Sequence, residues 1–437
     1  MNRINPLSAT QHSLRRALVS PHRTGNVRRP LSLSILAASI MLAGSNVALA
    51  GPAGGVVVTG AAAITPSLGT TVINQTTDRA AINWQSFDIA RGESVRINQP
   101  GSASVLLNRV VGANPSAIFG SLSANGQVFL VNPNGILFGS GASVNVGGLV
   151  ASSLGISDAD FMAGRASFSG THAAAVVNEG VIRADGGYVA LLGGTVTNDG
   201  AINARLGAVA LAAGDAVSLD LGGDKLLSVT VGRGALNAAV RNGGVISADG
   251  GQVVLTTQAA GSLLASAVNN SGVIEARTVS NQAGTIRLLA SAADGTVSVG
   301  GTLDASAPAG GNAGFIDTSA GHVKVADTAR ISTAAAQGKN GTWLIDPQDF
   351  TIGSGPNDNI SGPTLSALLV TNSVIISTNT GPDVTNEALN YISKHQKAPV
   401  GWRERQLKVI AVANQPETLV RFTFLSPLTE LVNAVQQ

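Results

Sequence analysis

The chain has 437 residues, of which 12% are charged, 3% are aromatic and 53 are glycine; this composition is too apolar for intrinsic disorder, and the lack of cysteine excludes disulfides and cysteine-based metal sites. The formal net charge is +2, but residues 1–50 contain six arginines and no acidic residue, so the rest of the chain carries 21 basic and 25 acidic residues, a net charge of −4. The basic character therefore belongs to the N-terminal segment and does not indicate nucleic-acid binding.

Residues 1–50 have the organisation of an extended Sec signal peptide. A long basic region is followed by the apolar run Leu31–Ala43 and then by Ala48-Leu49-Ala50, a small-x-small pattern that predicts cleavage before Gly51. The alternative is a transmembrane anchor, but the apolar run is short for a span and is interrupted by Gly44-Ser45-Asn46. The sequence therefore predicts export by the Sec machinery.

The segment Gln127–Gly139 combines two short apolar runs with an unusual turn. Val128–Val131 is followed by Asn132-Pro133-Asn134-Gly135, and the chain resumes as Ile136-Leu137-Phe138. Proline presets φ for a turn, and Asn-Gly supplies residues that tolerate positive φ. The segment is therefore predicted to form a strand, a tight turn and a second strand.

A short helix is predicted at Ser157–Gly164, with Ser157 or Asp158 as its N-cap. Asp158 and Asp160 could also contribute to a calcium site. One such pair falls far short of a full oxygen cage, so the capping interpretation is favoured.

A repeat begins near residue 176 and predicts a solenoid. Its pattern is Asn-x-Gly-x-Ile-x-Ala, then a turn with glycine, then a strand of valine and leucine. The equivalent residues are Asn178, Asn198, Asn242 and Asn270, then Gly180, Gly200, Gly244 and Gly272, then Ile182, Ile202, Ile246 and Ile274. Each unit is too small to bury its apolar face alone, so stacked units would share one core. We expect the asparagines to form an amide ladder, and the glycines to make corners where φ is positive.

The spacing of the repeat is uneven, and the chain changes character near its C-terminus. The interval between Asn198 and Asn242 is long, which predicts an unrecognised or degenerate coil within Asp215–Ala239. A β-sandwich with glycine-rich turns is the structural alternative. After Gly381 glycine becomes rare and lysine and arginine cluster, so the β-pattern is expected to end there, in a tail or a short helical piece.

The run Ile82–Gly139 closely resembles the secretion domain of two-partner secretion exoproteins. This family includes filamentous haemagglutinins, high-molecular-weight adhesins and haem-haemopexin utilisation proteins. The matching pieces are Asn83-Trp84, Phe87-Asp88-Ile89, Asn98-Gln99-Pro100, Leu107-Asn108-Arg109-Val110 and Asn132–Ile136. A later marker, Gly341–Ile352, is similar to the Trp-Leu-Ile-Asp-Pro element of some members.

The resemblance implies an all-β fold, a right-handed parallel β-helix. It also implies passage through a dedicated outer-membrane β-barrel transporter whose periplasmic domains recognise the secretion domain. On this basis the transporter-recognition residues are expected to be Asn132, Pro133, Asn134, Gly135 and Ile136, with Asn108 and Arg109 as a second element. The alternatives are that the first group only closes a coil, and that Asn108-Arg109 is a satisfied polar pair at a strand end.

The expected organisation is a signal peptide at 1–50, a secretion domain with β-helix repeats at 51–300, further coils at 301–381, and an atypical tail at 382–437. Members of the family continue for many hundreds of residues, so a truncation or frame shift near residue 381 is a hypothesis for the tail. The protein is expected at the cell surface or in the medium of a Gram-negative bacterium.

Enzyme chemistry finds little support in the sequence. His172, His322 and His395 are isolated, without the spacing of metal ligands, and no nucleophile elbow, phosphate loop or zinc-protease motif occurs. We predict a non-enzyme without cofactor or metal. Three functions stay open: an adhesin that binds a host glycan or matrix, a protein that binds a haem carrier, and a carbohydrate-active β-helix, since some parallel β-helices are polysaccharide lyases or hydrolases.

Overall fold

The structure is a computed structural model that describes residues 51–171, 173–221, 228–258 and 267–378, together with the backbone of 405–411 and 418–424. Within these ranges the strands dominate, and the helices are short: α1 (Asp158–Met162) and α2 (Gly362–Leu368). In the same ranges, no helix has the length and apolar content needed to cross a membrane. The predicted signal peptide lies outside the described residues.

Most of the described strands belong to three long sheets, here called A, B and C. Sheet A has fourteen strands in pairing order: Val56–Thr59, Arg79–Trp84, Val105–Val110, Gln127–Val131, Gly148–Ser152, Tyr188–Gly193, Ala208–Ala213, Gln252–Thr257, Thr285–Leu289, Phe315–Ser319, Thr342–Asp346, Ser373–Thr378, Arg405–Ala411 and Thr418–Phe424. Sheet B has eight: Ser116–Ile118, Ile136–Phe138, Ala175–Asn178, Thr195–Asn198, Ala239–Asn242, Ala267–Asn270, Thr296–Val299 and His322–Val325.

Sheet C and a small sheet D complete the described strands. Sheet C has eleven: Ala62–Ser67, Thr70–Gln75, Ser94–Asn98, Ser121–Ala124, Ser143–Asn145, Val181–Arg183, Ala201–Asn203, Val245–Ser247, Val273–Glu275, Thr302–Asp304 and Arg330–Ser332. Sheet D has three antiparallel strands: Ala166–Ser169, Ala216–Asp220 and Ser228–Arg233.

The chain visits sheets B, C and A in turn, and each visit to the three sheets is one coil. Ile136–Phe138 lies in sheet B, Ser143–Asn145 in sheet C and Gly148–Ser152 in sheet A, and each strand pairs in parallel with the equivalent strand of the next coil. This pairing confirms the predicted parallel β-helix. The β-sandwich alternative is wrong, because its sheets would be built from antiparallel neighbours.

The core inside the coils is made of stacked aliphatic side chains. Ile182, Ile202, Ile246 and Ile274 pair in register across successive strands of sheet C, and all four are fully buried. Strand residues alternate between the two faces of a sheet, so one residue in two points into the coil. The repeating isoleucine of the sequence is therefore one column of the interior.

The predicted amide ladder is confirmed. Asn178, Asn198, Asn242 and Asn270 are fully buried and stacked at the end of four strands of sheet B. The side-chain amide nitrogens of the first three donate to the side-chain oxygen of the next asparagine, at 2.7, 2.7 and 2.8 Å, and Asn270 Nδ2 donates to the Thr302 carbonyl at 3.2 Å. The ladder satisfies polar groups that would be costly to bury alone.

The glycines after this ladder have a different role from the one predicted. Gly200, Gly244 and Gly272 do not have positive φ. A Cβ at each of them would instead overlap the carbonyl oxygen of the glycine one coil below, which for Gly200 is Gly180. Glycine is therefore required here by the close approach of two backbones, whereas the repeat glycines with positive φ are Gly186 (+72°) and Gly250 (+71°), in the turns that follow.

The predicted extra coil within Asp215–Ala239 is also wrong. Thr195–Asn198 pairs directly with Ala239–Asn242, so no coil lies between them. After strand Ala208–Ala213 the chain leaves the solenoid and forms an antiparallel hairpin of Ala216–Asp220 with Ser228–Arg233. This hairpin joins Ala166–Ser169 in sheet D.

Helix α1 and sheet D form a flap, defined here as α1 with the three strands of sheet D, and the flap has its own apolar core. Its side chains pack on the outer face of sheet A, where Phe129 lies 5.9 Å from both Phe161 and Phe168, measured between ring centroids. Sheet A therefore has an inner core on one face and an outer core on the other.

The two ends of the stack differ. At the N-terminal end Val56–Thr59 and Ala62–Ser67 run antiparallel to the strands that they cover. Towards the C-terminus the Trp-Leu-Ile-Asp-Pro marker supplies strand Thr342–Asp346, with Trp343 buried and its indole nitrogen donating to Thr318 Oγ1 at 3.1 Å.

The tail departs from the prediction in part. Arg405–Ala411 pairs in parallel with Ser373–Thr378 and forms a hairpin with Thr418–Phe424. The expectation that the β-pattern ends after Gly381 is wrong for these two strands, since their backbones extend sheet A. Residues 379–404 lie outside the described residues.

Candidate functional site

The turn Asn132–Gly135 connects a strand of sheet A to a strand of sheet B. The Asn132 carbonyl accepts a hydrogen bond from the Gly135 amide at 3.0 Å, with Pro133 at the second position, and Gly135 has φ of +108°. This residue order suits a type I turn. Pro133 and Asn134 are exposed, whereas Asn132 and Gly135 are buried.

The buried side chain of Asn132 holds the turn to the coil below. Its Oδ1 accepts from the Asn134 backbone amide at 3.0 Å, an arrangement that stabilises the turn locally. Its Nδ2 donates to the Asn114 carbonyl and to Ser116 Oγ, both at 3.0 Å. All of this is internal to the fold, so Asn132 has a structural role.

Asn134 also reaches the coil below, from the surface. Its Nδ2 donates to the Gly112 carbonyl at 2.9 Å and to Asn132 Oδ1 at 3.2 Å. The loop that it holds carries Val111, which is 52% exposed. Val111, Pro133 and Asn134 together are called the corner surface.

The other two residues of the predicted box are structural. Ile136 is 1% exposed and lies inside the coil, between strands of sheet B. A Cβ at Gly135 would lie 3.0 Å from the Ala175 carbonyl oxygen, so both the positive φ and the neighbouring coil favour glycine.

Asn108 and Arg109 point to opposite faces of sheet A. Asn108 is fully buried inside the coil and accepts a hydrogen bond from the Trp84 indole at 3.1 Å, while its Nδ2 has no partner. Arg109 lies on the outer face, beside Val131 in register. The alternative of a satisfied polar pair is therefore wrong, because the two side chains are separated by the sheet.

Arg109 fastens the start of the flap to sheet A. Its Nη2 donates to the Ile156 carbonyl at 2.8 Å and to Asp158 Oδ1 at 2.6 Å, and its Nη1 donates to Asn83 Oδ1 at 3.3 Å. The side chain is 19% exposed, compared with 52% for Asp158. Little of Arg109 is therefore open to a partner in the folded domain.

A second arginine, Arg79, also fastens the flap to sheet A and was not predicted from the sequence. Arg79 Nη1 donates to the Phe161 carbonyl at 3.0 Å, and its guanidinium carbon lies 5.4 Å from the Phe161 ring centroid, within the range of a cation–π contact. The alternation of side chains along a strand could have indicated this role, since Arg79 and Arg109 both lie at positions that point to the outer face of sheet A.

The predicted helix and its N-cap are confirmed, but Asp158 and Asp160 lie in the first turn of α1 and form ion pairs with Arg109 and Arg165. Ser157 is the N-cap of α1, and its hydroxyl accepts from the Asp160 amide at 3.0 Å. The Ser157 hydroxyl and then Arg165 lower the pKa of Asp160 from its ordinary value. No group of three metal-binding side chains occurs among the described residues.

The structure thus brings the predicted recognition residues into one region but exposes few of them. Arg109 pairs in register with Val131, the residue before the turn, so Arg109 and the turn lie on neighbouring coils, near the C-terminal ends of their strands in sheet A. Of the seven predicted residues, Pro133 and Asn134 are exposed, and Val111 adds a surface residue that the sequence did not indicate. Of the predicted cleavage residues, Gly51 is described and Ala48 and Ala50 lie outside the described residues.

Comparison with known proteins gives a family match over most of the described chain. A family model of the TPS secretion domain matches residues 48–305. The crystal structure of the HMW1 secretion domain from Haemophilus influenzae is similar, with a TM-score of 0.55 and 26% identity over 77% of this chain and 93% of that chain.

Two curated relatives cover a smaller part of the chain. The heme/hemopexin-binding protein of Haemophilus influenzae is 49% identical over 79 residues, which are 18% of this chain and 8% of that protein. The heme/hemopexin-binding protein of the KW20 / Rd strain is 45% identical over 100 residues, 23% of this chain and 11% of that protein. The matches span about a tenth of the length of these relatives.

Proposed function

The chain belongs to the family of TPS secretion domains, and from this membership we propose that its corner surface is what a cognate outer-membrane transporter recognises. The family consists of two-partner secretion exoproteins, which Gram-negative bacteria secrete or keep at the cell surface. The observation that carries the proposal is the division of the Asn132–Ile136 box into buried residues that build a turn and exposed residues that the turn presents.

Three features suit the corner surface to a docking role. Its turn is fixed from inside by the Asn132 side chain, so a partner would not have to order it. Val111 and Pro133 offer apolar surface beside the polar Asn134. The adjoining flap is fastened by Arg109 and is a second, larger feature within the same region.

The predicted recognition residues have different roles in this proposal. Asn108 is buried inside the coil, so a partner cannot touch it without opening the fold. Arg109 acts on recognition by positioning α1. Pro133 and Asn134 would contact the transporter directly.

The test is export of the full chain in cells that express the neighbouring outer-membrane transporter. Asn134→Ala is compared with Asn145→Ala, because Asn145 is also an exposed asparagine but lies on sheet C. We expect Asn134→Ala to accumulate in the periplasm and Asn145→Ala to reach the medium. Equal export of both variants would remove the corner surface as a recognition element.

Loss of folding must be separated from loss of recognition, because Asn134 also holds the Gly112 loop. Val111→Asp serves this purpose, since the exposed side chain can be changed without breaking that hydrogen bond. Circular dichroism and urea unfolding of the purified variants report folding. A Val111→Asp chain that folds normally and fails to leave the periplasm supports recognition, whereas normal export of this variant contradicts it.

For the whole protein we propose adhesion to a host glycan or matrix component, with binding of a haem carrier as the second candidate. The second candidate is favoured by the two relatives named heme/hemopexin-binding protein, and the first by the similarity to the HMW1 secretion domain. Binding of the secreted protein to immobilised haem–haemopexin, compared with binding to epithelial cells, distinguishes them.

We also propose that the N-terminal segment is removed by signal peptidase before Gly51, that residues 51–300 form the exported recognition unit with further coils at 301–381, and that the chain has no catalytic role. Family membership supports these proposals. N-terminal sequencing of protein from the medium tests the cleavage site: a mature chain that starts at Gly51 agrees with it, and an intact leader contradicts it.

A further inference from the structure

Four Asn-Gly pairs occur in the region of the coils, and this dipeptide carries a chemistry of its own. They are Asn125-Gly126, Asn134-Gly135, Asn242-Gly243 and Asn340-Gly341. In a flexible chain the backbone nitrogen after an asparagine can attack the side-chain amide carbon. Glycine permits this most readily, because it has no side chain to obstruct the nitrogen and leaves the backbone free to adopt the necessary angle.

The reaction is balanced with water alone. At Asn134 the Gly135 nitrogen loses its proton to base and bonds to Cγ, the bond from Cγ to Nδ2 breaks, and Nδ2 takes a proton and leaves as ammonia. Water then opens the five-membered imide at one of its two carbonyl carbons and gives aspartate or isoaspartate. One water is consumed, one ammonia is released, and nothing is oxidised or reduced.

The folded turn holds both reacting groups away from this path. The Gly135 amide donates to the Asn132 carbonyl at 3.0 Å, so its proton is engaged. The leaving nitrogen, Asn134 Nδ2, donates to the Gly112 carbonyl at 2.9 Å and to Asn132 Oδ1 at 3.2 Å. The side chain is thus directed to the coil below, and the attack requires these contacts to open first.

The other three Asn-Gly pairs differ in the hydrogen bonds that hold their side-chain amides, so they can be compared with Asn134-Gly135. Asn125 Nδ2 donates to the Gln99 carbonyl at 2.8 Å, and Asn242 Nδ2 donates to Asn270 Oδ1 at 2.8 Å in the fully buried ladder. Asn340 is exposed and accepts from the Ala335 amide at 2.8 Å, but its Nδ2 makes no hydrogen bond within the described residues. Asn340 is therefore the matched comparison for Asn134.

We propose that Asn134-Gly135 is a spontaneous deamidation site which the folded coil keeps inactive and the unfolded chain exposes. The chemistry stands on the geometry of the turn. Its importance for export rests on the proposed function, because deamidation before the turn has folded would alter the corner surface that the transporter is proposed to recognise.

The product would not fit the turn. Aspartate at position 134 has no N–H to donate and would place a negative charge beside the Gly112 carbonyl and Asn132 Oδ1, which are both acceptors. Isoaspartate would in addition insert a methylene group into the backbone of a turn closed by one hydrogen bond. A chain modified before folding would therefore lose the contact that holds the Val111 loop.

The experiment compares the full chain, folded in buffer and unfolded in guanidinium chloride, at the same mildly alkaline pH. Peptide mass spectrometry follows the mass gain of replacing NH₂ by OH at each of the four asparagines. In denaturant we expect all four to react at similar rates. In the folded chain we expect Asn134 to slow on the order of a hundredfold, since three hydrogen bonds of ordinary strength must open first, and Asn340 to slow less.

The outcomes separate the two proposals. Equal rates for Asn134 in the folded and the unfolded chain, or no reaction at Asn134 in denaturant, overturns the protected site. Export of Asn134→Asp, which stands for the aspartate product, then tests the link to function. If folding protects Asn134 but Asn134→Asp is exported like the unmodified chain, the deamidation site stands and the recognition role of the corner surface fails.

Discussion

The asparagine ladder predicts that two adjacent residues of the same type will differ sharply when replaced. Asn270 is fully buried at the end of the ladder, whereas Asn269 is exposed on the outer face of sheet B. Because strand residues alternate between faces, Asn270→Ala and Asn269→Ala remove the same atoms on opposite sides of one strand. The second variant is therefore a matched control for the first.

The magnitude follows from the contacts that Asn270 makes. Its Oδ1 accepts from Asn242 Nδ2 at 2.8 Å, and its Nδ2 donates to the Thr302 and Gly272 carbonyls at 3.2 and 3.3 Å. Alanine removes one short and two longer hydrogen bonds and deprives buried Asn242 of its best acceptor. With about 1 kcal/mol for a hydrogen bond and 1–3 kcal/mol for an unsatisfied buried group, the expected loss is about 2–4 kcal/mol.

Equilibrium unfolding in urea, followed by circular dichroism, measures the difference. Asn269→Ala should change the free energy of unfolding by no more than about 0.5 kcal/mol, as is usual for surface substitutions. Since coils contact mainly their neighbours, hydrogen exchange should show the loss concentrated in the coils next to Asn270. Free energies for the two variants within about 0.5 kcal/mol of each other would refute the ladder as a source of stability.

Three further predictions concern backbone and charge. Leu206 has φ of +56°, a conformation that costs a side chain about 1–2 kcal/mol, so Leu206→Gly should raise the urea midpoint; a lower midpoint would show that its packing matters more. Gly207→Ala should destabilise by about 1–3 kcal/mol because its Cβ would overlap the Gly187 carbonyl, whereas Gly101→Ala, with open space around it, should be neutral; equal effects would contradict the close approach. Burial raises the pKa of Asp317, so its carboxyl stabilises the fold only at acidic pH, and stability is lost as pH rises from the unfolded value through the raised folded one. Asp317→Asn should therefore be more stable than the unmodified chain at neutral pH and lose this advantage in acid, and a gain that is independent of pH would contradict burial as the cause.

The periodic part of the fold was readable from the sequence because one physical requirement recurs in each coil. Ile182 and its equivalents repeat since every coil must fill the same interior position, and the ladder asparagines repeat since each needs the next as a partner. The period, the parallel pairing and the capped helix α1 followed from such local rules.

The flap could not be predicted in the same way. Its strand Ala166–Ser169 pairs with Ala216–Asp220, far along the chain, and occurs once. Without repetition the hairpin was indistinguishable from a degraded coil. The glycine columns were misjudged for a related reason, because the close approach of Gly200 to Gly180 is a property of the stack and is not visible in one coil.

For the predicted recognition residues, sequence reasoning did not show which side chains are buried and which are exposed. Alternation along strand Val105–Val110 places Asn108 and Arg109 on opposite faces, which their adjacency in a motif concealed. Which residues of the box are exposed depended on the Asn132 side chain, whose partners Asn114 and Ser116 lie in the coil below. The neighbouring coil therefore decides what this turn presents.

The antiparallel strands at the N-terminal end make this end of the stack different from a cut through its middle. Val56–Thr59 ends sheet A and Ala62–Ser67 ends sheet C with strands of reversed direction, and the second contains Pro66, which has no backbone N–H to offer. The reversed strands therefore close sheets A and C at this end against continuation by a coil of the same parallel register.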